Sequence, residues 1–152
     1  MKWVAFVLLV LVGACKSEQA PPPAEKVRRL VFVPAGEGEV SALVARELAN
    51  ADGKRVLVYV GAKWCEPCRR FHDTAQTGTL DPALPAVRFV EFDLDRDEER
   101  LRAAGYTSKY IPLFAVPLPD GRASGKQIAG SVPGPGSPAE LTPRLQVLLK
   151  DG

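Results

Sequence analysis

The sequence has little of what several large classes of protein require. Its 152 residues contain one histidine, one methionine and three cysteines, and 20 basic residues nearly balance 18 acidic ones, for a net charge of +2. The basic residues are scattered, so the surface typical of nucleic-acid binders is missing and we expect no nucleic-acid partner. No segment of 20–50 residues repeats, which argues against a solenoid. The length suits one domain with a normal core.

Long hydrophobic runs are also missing. The apolar run at 3–12 is too short to cross a bilayer as a helix, which takes about 20 residues. Because it follows Lys2, it is typical of the central region of a secretory signal. The next residues, VGAC at 12–15, resemble the lipobox of bacterial lipoproteins, in which the cysteine is acylated and becomes the new N-terminus. We therefore predict a signal peptide at 1–14 and lipidation of Cys15. The alternative is an ordinary signal peptide with an incidental cysteine.

The segment at 15–29 is predicted to be a lipidated N-terminus followed by a tether. Residues 16–26 are polar and proline-rich, which suits a linker between membrane and domain. Three cysteines is an odd number for an oxidising compartment, and acylation of Cys15 removes the odd thiol. Lys16 is not the aspartate that commonly retains lipoproteins in the inner membrane. We expect a lipid-anchored protein of the bacterial envelope that faces the periplasm, with the outer membrane favoured over the inner.

Strands and helices alternate through the predicted domain at 30–152, in the order β-α-β-α-β-α-β-β-α. The strand at 55–61 is apolar on both faces, which indicates a central position with helices on either side. The start of the last helix is ambiguous, because 137–140 has the form of a capping box but Pro143 would then lie inside the helix. The predicted strands cover 30–33, 55–61, 86–94, 113–116 and 125–130. The first helix runs from 40 to an end near 52–53, the second from the cysteine motif to about 77, and the third over 97–105.

The motif WCEPC at 64–68 lies where a strand leads into a helix. With the order of elements, it resembles the thioredoxin family over the whole domain. The resemblance implies an α/β thioredoxin fold, a central mixed β-sheet with helices on both faces. Ile111-Pro112 stands where thioredoxins hold a cis-proline, so Trp64, Ile111 and Pro112 are expected to form a substrate groove. The stretch at 71–95 is similar to the soluble C-terminal domain of the transmembrane disulfide reductase of the bacterial envelope.

The two cysteines of the motif suit thiol–disulfide exchange, which needs an attacking thiolate and a second thiol that resolves the mixed disulfide. Cys65 at a helix N-terminus is the predicted nucleophile, because the helix dipole favours its thiolate, and the more buried Cys68 is the predicted resolving thiol. We therefore predict an envelope thiol–disulfide oxidoreductase that reduces or isomerises disulfides in other envelope proteins. It needs an unidentified redox partner and no cofactor beyond its own redox-active disulfide.

One residue of the resembled family is missing. Thioredoxins usually carry a buried aspartate that helps to deprotonate the resolving thiol, and here Tyr59 takes its position. His72 is a possible proton acceptor instead, because it lies four residues after Cys68 on the same helix face and imidazole titrates near neutral pH. The alternative is a histidine without a role.

Two other interpretations of the cysteines stay open. Cys65, Cys68 and His72 could hold a metal, and a lipoprotein that binds copper is the alternative function, although a structural zinc site takes four ligands. A purely structural disulfide is the other interpretation, but so short a loop stabilises little. The acidic stretch at 93–99 has Glu98 where a calcium loop requires glycine, so we predict a solvated helix start there.

Overall fold

The computed structural model describes residues 29–150, and the predicted signal peptide, Cys15 and nearly all of the tether lie outside them. The nine elements follow in the predicted order. The strands are β1 (Leu30–Pro34), β2 (Arg55–Gly61), β3 (Val87–Asp93), β4 (Leu113–Pro117) and β5 (Ala123–Ala129), and the helices are α1 (Val40–Ala49), α2 (Glu66–Gln76), α3 (Leu94–Ala103) and α4 (Ser137–Lys150). Within 29–150, every helix is too short or too polar to span a membrane.

The strands form one mixed sheet in the order β1-β3-β2-β4-β5. β1 and β2 both pair with β3 in parallel, while β4 is antiparallel to both β2 and β5. α2 and α4 cover one face, where Phe71 and Leu141 are buried, and α1 and α3 cover the other, where Val44 and Leu101 are buried. This confirms the predicted mixed sheet between helices and the central position of β2.

The face under α2 carries an aromatic cluster that supports the cysteine motif. Phe71 of α2 stands edge-on to Phe114 of β4, with ring centroids 4.8 Å apart, and Phe32 of β1 stacks on Phe89 of β3 at the same distance. Tyr59 of β2 packs among them, 5.2 Å from Phe114. Such ring pairs contribute about 0.5–1.5 kcal/mol each beyond their buried area, so the helix that carries the cysteines rests on a well-packed layer.

Two elements start two or more residues before the predicted position. α3 begins at Leu94 rather than at 97, because the Asp93 side chain accepts hydrogen bonds from the amides of Asp95 and Arg96 and so caps the helix earlier. β5 begins at Ala123 rather than at 125.

The prediction of a solvated helix start at 93–99 is wrong at Asp97, which is 1% exposed. Burial acts to raise the pKa of its carboxyl. Hydrogen bonds from Arg96, the Asp93 amide and Arg100 outweigh that cost, and the pKa of Asp97 is lowered. Asp97 is thus a buried anion held by two arginines, which is a structural role.

The structure resolves the ambiguity at the last helix. α4 begins at Ser137 and contains Pro143. The capping box is not formed, because the carboxylate of Glu140 accepts hydrogen bonds from Ser131 at 2.8 Å and from Arg144 at 2.7 Å instead. α4 is therefore joined to the loop that follows β5.

Candidate active site

Cys65 and Cys68 form a disulfide at the N-terminus of α2, with their Cα atoms 5.3 Å apart. Cys65 is the N-cap residue, as its sequence position indicates, and its Sγ accepts a hydrogen bond from the amide of Cys68 at 3.3 Å. Pro67 occupies the first turn, where a missing N–H costs nothing. A sulfur at this position receives the unpaired amides and the positive end of the helix dipole, so the geometry favours a thiolate at Cys65.

Burial does not separate the two cysteines as expected. Cys65 is 4% exposed and Cys68 is 2% exposed, so both are buried in the disulfide form. The predicted order, with Cys68 the more buried of the two, holds only by this narrow margin. The two sulfurs differ instead in their surroundings, because Cys65 caps the helix while Cys68 borders a cavity.

The acidic residue between the cysteines is neutralised by its neighbours. One oxygen of Glu66 lies 2.7 Å from Nε of Arg70, and the other accepts a hydrogen bond from the Gly134 amide at 3.3 Å. These two hydrogen bonds, the first from Arg70, lower the pKa of Glu66. Glu66 and Arg70 thus largely cancel each other near Cys65, and Glu66 also joins the cysteine motif to the loop after β5.

Ile111 and Pro112 lie at the end of the sheet from which the cysteine motif departs. Their peptide bond is cis, as the resemblance implied. Val60 near the end of β2 pairs with Leu113 at the start of β4, so the chain leaving β2 and the chain entering β4 meet at one edge. The structure thereby brings Ile111 and Pro112 to the edge that carries Cys65.

Three exposed apolar side chains belong to the segments around this edge, and we call Trp64, Tyr110 and Val132 the docking face. Trp64 and Tyr110 are 65% and 61% exposed. The indole Nε1 of Trp64 donates to both carboxylate oxygens of Asp95, at 3.0 and 3.1 Å, which fixes the ring. The loop that carries Val132 passes close to Tyr110. Gly130 allows this approach, because a Cβ at that position would lie 3.1 Å from the Cβ of Tyr110.

A cavity of about 410 Å³ borders Cys68, and we call it the Cys68 cavity. Tyr59, on its wall, donates its hydroxyl to the carbonyl oxygen of Cys68 at 3.2 Å. Burial raises the pKa of Tyr59, and the negative charges of Glu91 and Asp73 raise it further. The tyrosine that replaces the aspartate of the resembled family therefore stays protonated and cannot act as a base.

His72 lines the same cavity and contacts Glu91 and Phe32. Its Nε2 lies 3.4 Å from a carboxylate oxygen of Glu91, and its ring lies against Phe32 with centroids 4.2 Å apart. Glu91 was missed by the sequence analysis. The available signal was a charged residue within β3, a strand whose neighbouring positions are largely apolar on both faces.

The structure also shows how the three predicted metal ligands, Cys65, Cys68 and His72, are arranged. Across residues 29–150, no three side chains of histidine, cysteine, aspartate or glutamate are grouped so that they could hold a metal ion. The sulfurs of Cys65 and Cys68 are bonded to each other, and the imidazole of His72 faces Glu91.

Comparison with known proteins adds four similarities. The sequence model of a family described as thioredoxin-like matches residues 41–119. A nucleoredoxin of Oryza sativa subsp. japonica is 35% identical over 78 residues, which are 48% of this chain and 16% of that protein, so the chain spans a small part of this relative's length. The thioredoxin of Trichomonas vaginalis has a similar fold, with a TM-score of 0.50, 21% identity and coverage of 82% of this chain and 99% of that one. The thioredoxin of Fasciola hepatica gives a TM-score of 0.44 and 24% identity over 70% of this chain and 90% of that one.

Proposed function

The chain belongs to the thioredoxin-like family of thiol–disulfide oxidoreductases, and from that premise we propose that it reduces or isomerises disulfide bonds in other proteins of the bacterial envelope. The observation that carries the proposal is the Cys65–Cys68 disulfide at the N-terminus of α2, with Cys65 as the N-cap. A disulfide in that position has one sulfur activated by the helix and a second within bonding distance.

The proposed cycle starts from the reduced pair. The thiolate of Cys65 attacks a client disulfide, one client sulfur leaves as a thiolate, and a mixed disulfide joins the client to Cys65. The thiolate of Cys68 then attacks the sulfur of Cys65, and the second client sulfur leaves. Two electrons pass to the client, and the new Cys65–Cys68 disulfide must be reduced again by a separate dithiol protein. An isomerase cycle uses the same first step and returns Cys65 to the thiolate when the client closes another disulfide.

The docking face supports an extended polypeptide as the substrate. Its exposed rings offer apolar area at low entropic cost, and the edge near Ile111 and Pro112 lies beside the cysteine motif. This arrangement suits a protein client better than a small disulfide, which would need no such surface.

We also propose that the domain is anchored to the envelope through a lipid on Cys15, with the tether at 15–29 and the outer membrane favoured over the inner. The support is the sequence VGAC at 12–15 and Lys16 after it. Mass spectrometry of the native N-terminus should find acyl chains on Cys15, and Cys15→Ser should release the protein from membranes. A mature protein that begins elsewhere and keeps a free Cys15 thiol would contradict the anchor without touching the redox proposal.

The experiment that tests the redox function is a comparison of two serine variants in envelope extracts. Cys68→Ser removes the resolving thiol and keeps the helix N-terminus that activates Cys65, so it should accumulate clients as adducts that reductant releases. Cys65→Ser should trap far fewer, and the double variant serves as the background. Equal trapping by both single variants would contradict the assignment. Absence of trapping, with copper bound by the wild type and lost from both variants, would favour the copper-binding alternative.

A further inference from the structure

We propose that His72 and Glu91 act together when the mixed disulfide is resolved: His72 accepts the proton of Cys68, and Glu91 is the positioning residue that orients the imidazole. This inference rests on the proposed function and deepens it, because it names the group that receives the proton in the second step. It follows from the Cys68 cavity, whose wall includes both residues and Cys68 itself.

The sheet register brings Glu91 to this place. Tyr59 of β2 pairs with Glu91 of β3, and in-register partners of adjacent strands point to the same face, so both side chains lie under α2. The 3.4 Å approach of Glu91 to Nε2 of His72 therefore joins β3 to α2 across the cavity. Phe32 of β1 packs against the imidazole, with ring centroids 4.2 Å apart. Three elements of the fold thus hold the ring, and both partners stay partly open to solvent, at 24% and 30% exposure of their side chains.

Other ionisable groups of the cavity are poor candidates for the base. Six line it in addition to the pair: Tyr59, Lys63, Arg69, Asp73, Asp93 and Arg96. The cations have no lone pair to offer at neutral pH, and Tyr59 keeps its proton because burial raises its pKa. Asp93 already caps α3. Asp73 is an exposed carboxylate on α2, and carboxylates are weak bases near pH 7, where imidazole is well matched.

The carboxylate of Glu91 determines which nitrogen of the neutral His72 imidazole carries the proton. A neutral imidazole beside an anion places its proton on the nitrogen that faces the anion, here Nε2, and this leaves the lone pair of Nδ1 as the acceptor. During resolution the thiol proton of Cys68 passes to Nδ1. The sulfur of Cys68 bonds to that of Cys65, and the client sulfur leaves with the electron pair of the broken bond. The imidazolium that results is stabilised by Glu91 until solvent removes the proton.

The single histidine of the chain allows a direct test. In the full chain carrying Cys15→Ser, reduced and free of a histidine tag, the ¹⁵N shifts of the imidazole report its tautomer. We expect the Nε2–H form in the wild-type domain and loss of that preference in Glu91→Gln. Asp73→Asn, which removes another carboxylate of the same cavity, should leave the tautomer unchanged. A wild-type imidazole with no tautomer preference, or one insensitive to Glu91→Gln, would overturn the proposal.

Kinetics supply the second readout. The same chain is mixed with bis(2-hydroxyethyl) disulfide, quenched with acid and weighed intact, so that formation and decay of the mixed disulfide are separate rates. We expect Glu91→Gln and His72→Ala each to slow the decay by about tenfold at pH 7, less than the roughly hundredfold or more that is typical of a positioned base, because a thiol partly ionises unaided. The double variant should be no slower than His72→Ala, since the residues act as a unit.

The outcomes distinguish a failure of the proposed redox function from a failure of the roles inferred for His72 and Glu91. If the wild type forms no mixed disulfide, the proposed function fails, and the inference fails with it. If the mixed disulfide forms and decays at the same rate and with the same pH profile in wild type, His72→Ala and Glu91→Gln, the function stands and the inference is overturned. If Glu91→Gln or His72→Ala slowed the decay only by destabilising the fold, its unfolding midpoint would change, which a denaturant titration of each variant records. Asp73→Asn is the control for the loss of any carboxylate from the cavity.

Discussion

Two regions near the Cys65–Cys68 disulfide, the docking face and the Cys68 cavity, differ in their chemistry. The docking face of Trp64, Tyr110 and Val132 is largely apolar and exposed, and the indole N–H of Trp64 is already bound to Asp95. The Cys68 cavity is lined largely by ionisable groups, with His72 and Glu91 in direct contact. In the proposed mechanism the docking face binds the polypeptide without a change in its own charge. The Cys68 cavity transfers the proton without contacting the client.

This separation follows from how α2 is placed. Its N-terminus projects from the sheet edge, where the chain segments before β4 and after β5 supply the exposed side chains of Tyr110 and Val132. Its second turn lies over β3 and β1, where the strand register supplies Glu91 and Phe32. Substitutions on the cavity side should therefore change stability and resolution rate, and substitutions on the docking face should change client affinity. The predictions below test that division in order of expected size.

The largest effect is expected from Gly61→Ala on the cavity side. A Cβ at Gly61 would lie 2.9 Å from the hydroxyl oxygen of Tyr59, which is buried and bonded to Cys68. Overpacking of this kind costs about 1–3 kcal/mol in the free energy of unfolding, which a urea titration measures. Gly36→Ala is the matched control, because nothing lies within 4 Å of its Cβ position. Equal stability of the two variants would show that the wall of the cavity is not tightly packed.

The next effect is expected from Trp64→Ala on the docking face. The side chain is 65% exposed, so its loss should hardly change the unfolding midpoint. It should raise the KM for a protein disulfide by about tenfold, in line with the loss of an aromatic anchor of an interface. Reaction with bis(2-hydroxyethyl) disulfide should be unaffected. Val147→Ala on α4, also an exposed apolar residue, is the control. A Trp64→Ala variant that slows both substrates equally would place Trp64 in the chemistry instead.

Tyr59→Phe should have a smaller effect. The ring keeps its place among the aromatic side chains, and only the hydrogen bond to the Cys68 carbonyl is lost. Such a bond contributes about 0.5–1.5 kcal/mol to the free energy of unfolding. Because Tyr59 is not the base, the pH profile of mixed-disulfide decay should keep its shape. A changed profile in Tyr59→Phe, followed by the same mass assay, would assign Tyr59 a role in proton transfer.

The smallest effect is expected at Glu66, between the two cysteines. Its pKa is lowered in the folded state by Arg70 and by the Gly134 amide, so its ionised form stabilises the fold above the unfolded-state pKa. That contribution should disappear as the pH falls through the lowered folded-state pKa. Glu66→Gln should therefore be slightly less stable than wild type at pH 7, and the difference should shrink as the pH is lowered, by urea titration. Glu98→Gln, from an exposed pair with Arg102, is the control.

The sequence predicted the local features of the molecule well. The order of all nine elements, the cap at Cys65 and the position of Ile111-Pro112 depend on short-range patterns, and the structure has each of them. Glu91 and Asp95 were missed because their partners lie far along the chain: His72 meets Glu91 only when α2 packs on β3, and Trp64 meets Asp95 across 31 residues. Such contacts depend on the strand register and on where each helix packs on the sheet. The hydrophobic periodicity of the sequence predicts neither.

The errors in polar burial have another source, because most of the partners concerned are close in sequence. The run at 93–99 has the composition of a solvated helix start, and Asp97 is buried only because two arginines of α3 converge on it. The capping box at Ser137 fails for a similar reason, since Ser131 and Arg144 compete for Glu140. In both cases a locally reasonable pattern was overridden by a partner that folding supplies.

The reduction potential of the Cys65–Cys68 couple tests the central claim most directly. It is measured by equilibrating the protein with glutathione or dithiothreitol buffers and counting the alkylated thiols. A protein that reduces or isomerises client disulfides should have a potential between about −270 and about −180 mV, the range from thioredoxin to protein disulfide isomerase. A value below about −300 mV would mark a structural disulfide, and one near about −120 mV would mark an oxidant. Either would contradict the function proposed for this pair of cysteines.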